Sequence, residues 1–390
     1  MNFKFHIFAL FGALLLSACH HSDTPRPEAS LGPFRSVAIV YIVAENSLSS
    51  YAEKDLSEMR RGVRNIPDSC LLAIYIDDSN SATHPRILLL DNQGEERILH
   101  TLETDPVSTD STTMQQVLNL IISRCPARHY GLTLWSHGSG WVPQEPTSAL
   151  RKTIGVDNGH NTQSNTGKEM EISTLAHILS NTGRSWEYVF FDACFMQGVE
   201  VAYELRHAAH WCIGSPAEIP GNGAPYHMIM PHLFADSTQA WRIAEEYFEY
   251  YRYAEGLVIS AVRTSQLEAL AEATARGIAG LPQYPDVHDV QPYMGIGSAA
   301  QWKPEYFDMG SAMGHWLTEE EYQQWRQVAN CAVPYQYASN SWATSFSRYF
   351  TPVITDRDHI CGLSMYIPVP GHRLNDYFAT CSWYRAAGWQ

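Results

Sequence analysis

Two stretches of this chain run through consecutive apolar residues and stop abruptly at a reactive side chain: LTLWSHGSGW at 132–141 and YVFFDACFMQG at 188–198. Leu132, Leu134 and Trp135 lead into His137-Gly138, and Tyr188, Val189, Phe190 and Phe191 lead into Asp192-Ala193-Cys194. Runs this short, bounded by glycine and polar residues, fit core strands of a parallel sheet. Such sheets gather ligands and chemistry at the carboxyl ends of their strands. A histidine at one strand end and a cysteine at another can then face each other across a crevice. That is the geometry a thiolate nucleophile and its imidazole partner need.

The rest of the chain supports a parallel α/β fold. SVAIVYIVAEN (36–46) and CLLAIYIDD (70–78) read as buried strands, the second ending in two aspartates. Between them, Leu48, Tyr51, Leu56 and Met59 fall near helical spacing. PRILLL and ERILHTL around DNQGE read as a hairpin. TTMQQVLNLIISRCP carries one apolar face and stops at Pro126. Residues 142–169 lack periodicity and read as a long surface loop. Further helices are expected over 172–179, 198–209 and the AWRIAEEYFEYYRYAEG segment, with strands at WCIGSPAEI and LVISAV. A helix capped by Ser265 follows. This β-α-β order with repeated crossovers is the signature of a parallel sheet. Beyond Pro282 the pattern weakens to a helix around EEEYQQWRQVA and a late strand over 361–371. The expected division is a core over 36–282 and a C-terminal α/β part, 283–390, packed on it.

The first residues form an address. Lys4 is followed by a mostly apolar stretch from Ile7 to Leu16, too short to span a membrane, and then by Leu-Ser-Ala-Cys at 16–19. This resembles a bacterial lipoprotein signal over 1–18, with lipid on Cys19; an ordinary signal peptide is the other reading. The segment 19–35 then reads as a lipidated cysteine and flexible tether, rich in Pro and Ser. The full chain carries a formal charge of −15, and loss of Lys4 with the leader makes it −16. That balance, with no basic run, argues against a nucleic-acid partner. Of eight cysteines, the six besides Cys19 and Cys194 show no CxxC pair; several free buried thiols are expected, with one or two disulfides allowed by export. HExxH is absent too, which argues against zinc. His207 and His210, three apart, read as a solvated helix face.

Strand–His-Gly followed by strand–Asp-Ala-Cys resembles the caspase-like cysteine peptidases, and within them the clostripain family. FMQGVEVAYEL after Cys194, IGSPAEIPGNGAPY, YFDMGSAM at 306–313 and GLSMYIP at 362–368 look like further landmarks of that family. The resemblance implies a caspase-like, mostly parallel sheet flanked by helices on both faces. It implies a cysteine endopeptidase with Cys194 as nucleophile and His137 as general acid/base. The amides of Gly138 and Cys194 are the candidates for an oxyanion hole. A nearby imidazole or helix N-terminus is expected to lower the thiol's pKa.

Clostripain-like enzymes cleave after Arg or Lys, which calls for carboxylates in the pocket for the residue preceding the scissile bond (P1). Asp192 matches the family's acidic position two before the cysteine. In the Pro-Gly-Xaa-Gly loop, however, Asn222 stands where basic-specific relatives carry an aspartate; Glu218 is a candidate to compensate, a solvated loop residue being its other reading. The resemblance also places self-cleavage in the loop after His137, where Arg151-Lys152 offers a basic pair. No cofactor is expected from the motifs; calcium is one that the family analogy allows, although no EF-hand-like loop appears. The expected partners are protein or peptide substrates and a membrane, through Cys19, at the bacterial cell envelope. A catalytically silent peptide-binding lipoprotein and a peptidase of non-basic specificity are the alternatives.

Overall fold

The structure, a computed structural model, describes residues 30–80, 82–142, 154–159, 167–296, 303–345 and 351–389. Its strands are β1 (Phe34–Ala44), β2 (Cys70–Asp78), β3 (Arg86–Leu90), β4 (Glu96–Thr101), β5 (Ala127–Trp135), β6 (Ile154–Asp157), β7 (Lys168–Met170), β8 (Trp186–Asp192), β9 (Trp211–Gly214), β10 (Val258–Arg263), β11 (Pro292–Ile296), β12 (Lys303–Asp308), β13 (Tyr335–Ala338) and β14 (Ser364–Met365). Nine of them form one sheet in the order β13-β10-β9-β8-β5-β1-β2-β3-β4. The five from β9 to β2 are mutually parallel. Antiparallel pairs close both ends: β10 and β13 beside β9, and the expected hairpin β3–β4 beside β2.

Helices cover both faces. They are α1 (Ser49–Gly62), α2 (Ser111–Arg124), α3 (Ile172–Asn181), α4 (Val199–Glu204), α5 (Tyr226–Ile229), α6 (Arg242–Tyr251), α7 (Leu267–Ile278), α8 (Met309–Trp316), α9 (Glu319–Ala332), α10 (Leu374–Phe378) and α11 (Ser382–Ala386). The two-residue period of β1 divides the interior. Val37, Ile39, Tyr41 and Val43 enter one core with residues of α2, α3, α4 and α7. Ala38, Val40, Ile42 and Ala44 enter the other with residues of α1, α5 and α6. A strand buried on both sides must be apolar at nearly every position, which is why β1, β2 and β8 read as continuous hydrophobic runs. Each fully buried aliphatic side chain contributes roughly 1.5–3 kcal/mol.

Several expectations are corrected. Residues 154–157 and 168–170 are not loop but a short antiparallel pair, with Ile154, Val156 and Met170 buried; strands of three or four residues are too short for a period to show. The helix over 198–209 stops at Glu204, and His207 and His210 lie exposed in the turn beyond. Ser265 is not a cap, because Thr264–Gln266 forms a 3₁₀ turn, anchored by the Thr264 hydroxyl donating to the Ala209 and His210 carbonyls. Only Ser364–Met365 of the late strand pairs as a strand. The amides of Cys361 and Gly362 instead donate to the buried Asp308 carboxylate, which also caps α8 through Ser311 N–H. Finally, the segment beyond 282 does more than pack on the core: β13 completes the central sheet.

Candidate active site

The register of β5 against β8 assembles the site. Trp135 lies opposite Asp192, so His137 and Cys194, each two residues farther on, leave the carboxyl ends of neighbouring parallel strands side by side. Adjacent strands are about 4.8 Å apart. Both residues are partly exposed. The His137 ring is held from the next strand along: Nε2 lies 2.9 Å from Ser47 Oγ, at the end of β1. Ser47 is placed by Asn46, fully buried, whose side-chain amide donates to the carbonyls of Val43 and Val156 at 3.0 and 2.8 Å.

The two loops are locked to each other. A Cβ on Gly138 would lie 2.7 Å from the Cys194 carbonyl oxygen and 2.8 Å from Met196 Sδ, so only glycine permits this approach. Gly140 (φ +70°) packs as closely on the Phe195 carbonyl. Tyr306 stacks on the Phe195 ring with centroids 4.8 Å apart and donates its hydroxyl to the Ser139 carbonyl at 2.5 Å. Phe195 itself is held at φ +61°, a costly conformation for an aromatic residue. It persists because its amide donates to Ala217 O at 2.9 Å and the Gln197 amide to Ser215 O at 3.0 Å. The Gln197 side chain is buried and donates to the Cys212 and Ser260 carbonyls.

The Cys194 sulfur accepts the Ile219 N–H at 3.5 Å. Burial pushes the thiol up to about 12; the Ile219 N–H opposes this, while the carboxylates of Glu218 and Asp192 add to it. The direction is opposite to the lowering that an imidazole or helix N-terminus alone would give. Burial sets that direction; α4, six residues long, begins only at Val199, five beyond the sulfur.

Beneath the loop 220–224 lies a buried carboxylate. Both oxygens of Asp192 accept the Ala224 N–H at 3.0 Å, and they also accept the hydroxyls of Tyr226 (3.0 Å) and Tyr247 (3.2 Å). Burial is the largest influence and raises its pKa to about 6. Asn222 is exposed, and its side-chain oxygen accepts the Lys54 ammonium at 2.6 Å. Glu218 is not a solvated loop residue. It accepts the Thr344 hydroxyl and the amide and hydroxyl of Ser345, tying the segment before 346 to the cysteine loop. The residue that sequence reading missed is Asp55, 1% exposed on α1, which accepts Trp135 Nε1–H at 2.7 Å. A signal was present: Asp55 falls on the stripe of Ala52, Leu56 and Met59 that faces the core.

Among the described residues, one group of carboxylates could hold a metal ion. Glu45, Asp77 and Asp105 each bring one oxygen within 4.8 Å of the others. A point within about 2.8 Å of all three therefore exists, near the 2.3–2.6 Å of calcium–oxygen bonds. Asp77 accepts the Ser108 hydroxyl on Oδ2, while its buried Oδ1 has no hydrogen-bond partner. An all-oxygen set with an orphaned buried oxygen fits a hard cation such as calcium. The seven cysteines among the described residues are all free, so the disulfides that export would permit do not form there. Cys19, Arg151 and Lys152 lie outside the described residues. Among those described, no helix is long and apolar enough to cross a membrane.

Residues 40–348 match the model of the clostripain family of peptidases. The structure is similar to that of a secreted C11 cysteine protease from Bacteroides thetaiotaomicron in complex with an irreversible peptide inhibitor. The two share 28% identity over 92% of this chain and 100% of that one, with a TM-score of 0.79. It is similar as well to an inactive zymogen C11 protease from Parabacteroides distasonis, at 26% identity over 91% of this chain and 99% of that one, with a TM-score of 0.78. A further secreted C11 cysteine protease from Bacteroides thetaiotaomicron, iotapain, shares the fold at 22% identity over 91% and 99% of the two chains, with a TM-score of 0.76. No curated protein matches the chain. The match of family model and fold together means that this chain belongs to the clostripain family and is a cysteine-type peptidase with a caspase-like α/β fold.

Proposed function

We propose that the protein is an exported, lipid-anchored endopeptidase in which Cys194 is the nucleophile and His137 its general base, cleaving after Arg or Lys. The observation that carries this reading is the β5–β8 register, which brings a partly exposed imidazole and thiol to adjacent strand ends. In the reaction the Cys194 proton passes to His137 as the sulfur attacks the scissile carbonyl carbon. The oxyanion forms beside the Gly138 and Cys194 amides. His137 then returns the proton to the leaving amine, and water hydrolyses the thioester. The P1 cation reaches Asp192. Attachment through Cys19 follows from the Leu-Ser-Ala-Cys sequence, and calcium finds oxygen donors at Glu45, Asp77 and Asp105.

In this reading a cut near Arg151-Lys152 is the activating event. Cys194→Ala tests the whole reading. It should abolish turnover of arginyl and lysyl peptides and leave an uncut chain by intact mass, with the melting transition retained. Turnover near wild type in that variant sinks the proposal.

A further inference from the structure

Asn222 is turned to Lys54 at the surface, so the loop 220–224 brings no negative charge inward at that position. The structure nevertheless places a second carboxylate beside Asp192. A Cβ built on Gly223 would lie 3.0 Å from Asp192 Oδ2 and 3.2 Å from Asp55 Oδ2. The two carboxylates are thus about 6 Å apart at most, across a gap left open because residue 223 has no side chain. Gly223 needs that identity for its backbone too, since its φ is +65°.

The hydrogen bonding of the pair is lopsided. Asp192 is saturated by the Ala224 amide and two tyrosine hydroxyls, whereas Asp55 uses only Oδ2, toward Trp135. Asp55 Oδ1 is buried and has no hydrogen-bond partner. Two buried carboxylates this close cannot both ionise without repelling each other, and every hydrogen bond they accept comes from a neutral donor. An arrangement of this kind is completed by a cation from outside. A guanidinium offers five donors in a planar fork and can span two acceptors, one on each side of it.

We propose that Asp55 is a specificity-determining residue, the second carboxylate that receives the P1 Arg or Lys side chain in place of an acid at 222. This rests on the reading that Asp192 binds the P1 cation. Charged and titratable groups face Asp55 from three sides. Asp192 lies at the end of β8, Glu58 and Lys54 lie on α1 itself, and the neutral phenols of Tyr226 and Tyr251 come from α5 and α6. Glu58 is in turn bonded to His227 at 3.0 Å. Burial first, and then Asp192, raises the Asp55 carboxyl to about 8. In the free protein it holds a proton at pH 7, and a bound guanidinium displaces it.

Binding to the full chain carrying Cys194→Ala tests this without turnover. Two peptides are compared by calorimetry, one ending in arginine and one in citrulline, its uncharged isostere. Arginine should bind at least tenfold more tightly, with the ratio rising from pH 6 to pH 9 as Asp55 ionises and with proton release near pH 7. Adding Asp55→Asn, which keeps an acceptor for Trp135, should remove most of that ratio, its pH dependence and the proton release, while citrulline affinity stays within twofold. Asp55→Ser should act alike. If Asp192→Asn abolishes the ratio and both Asp55 variants keep it, the inference fails while the P1 reading stands. If the parent does not distinguish the two peptides, both fail.

Discussion

At the scale of single residues, the site depends on what is missing as much as on what is present. Gly138 lies against the Cys194 carbonyl, Met196 and Ala193, and these neighbours cannot retreat because the amides of Phe195 and Gln197 are pinned to the 215–217 segment. Gly138→Ala should therefore push the His137 loop away from the sulfur. Overpacking of this kind costs about 1–3 kcal/mol, and displacing one oxyanion donor costs roughly 10²–10³ in kcat. Turnover of an arginyl peptide beside a thermal melt measures both; full activity would show that the loop yields. The placement of His137, Cys194 and Asp192 at strand ends was legible in the sequence because each closes an apolar run. Asp55 was not read, because α1 lies far in sequence from the strand ends that carry Trp135 and Asp192, and only the packing of the helix on the sheet brings its carboxylate to them.

At the scale of elements, the carboxyl ends of β1 and β2 carry more than the histidine support. Glu45 immediately precedes Asn46 and Ser47, and Asp77 lies in β2 beside Val43 of β1. A divalent cation held by Glu45, Asp77 and Asp105 would stiffen the turn from which Ser47 reaches His137. A ligand present at 100 times its Kd stabilises by about 2.7 kcal/mol. Millimolar calcium should raise the melting temperature of chelator-treated protein by a few degrees, and Asp77→Asn should remove that shift. An unchanged midpoint in the unmodified protein would exclude the site. The sequence reading saw two aspartates closing the second strand. It had no means of seeing Glu45 and Asp105 beside them, since that depends on which strands become neighbours.

At the scale of the whole molecule, several acids are buried at the cost of their charge. Burial, with neighbouring carboxylates, raises Asp77 to about 9 and Asp55 to about 8, and burial raises Asp192 to about 6, from ordinary values near 3.8. Each group holds its proton more tightly folded than unfolded, so the folded state binds more protons between about pH 4 and pH 9. The stability these groups lend is complete below pH 4 and is lost as the pH rises through their folded values. The unfolding midpoint should fall between pH 6 and pH 9, and Asp55→Asn should flatten the fall. A midpoint independent of pH in both proteins would show that these acids are paired or hydrated in solution.

The sequence by itself determined the buried strands of the central sheet and the two strand ends that carry His137 and Cys194, because a strand buried on both faces must be apolar throughout and stops visibly where it is not. Only the tertiary structure decided the rest. Strand order made His137 and Cys194 neighbours, the packing of the loops around residue 194 buried its sulfur and raised the thiol, and an acid from α1 met Asp192 under Gly223. Those outcomes are set by distances between segments remote in sequence, and hydrophobic pattern carries no measure of such distances.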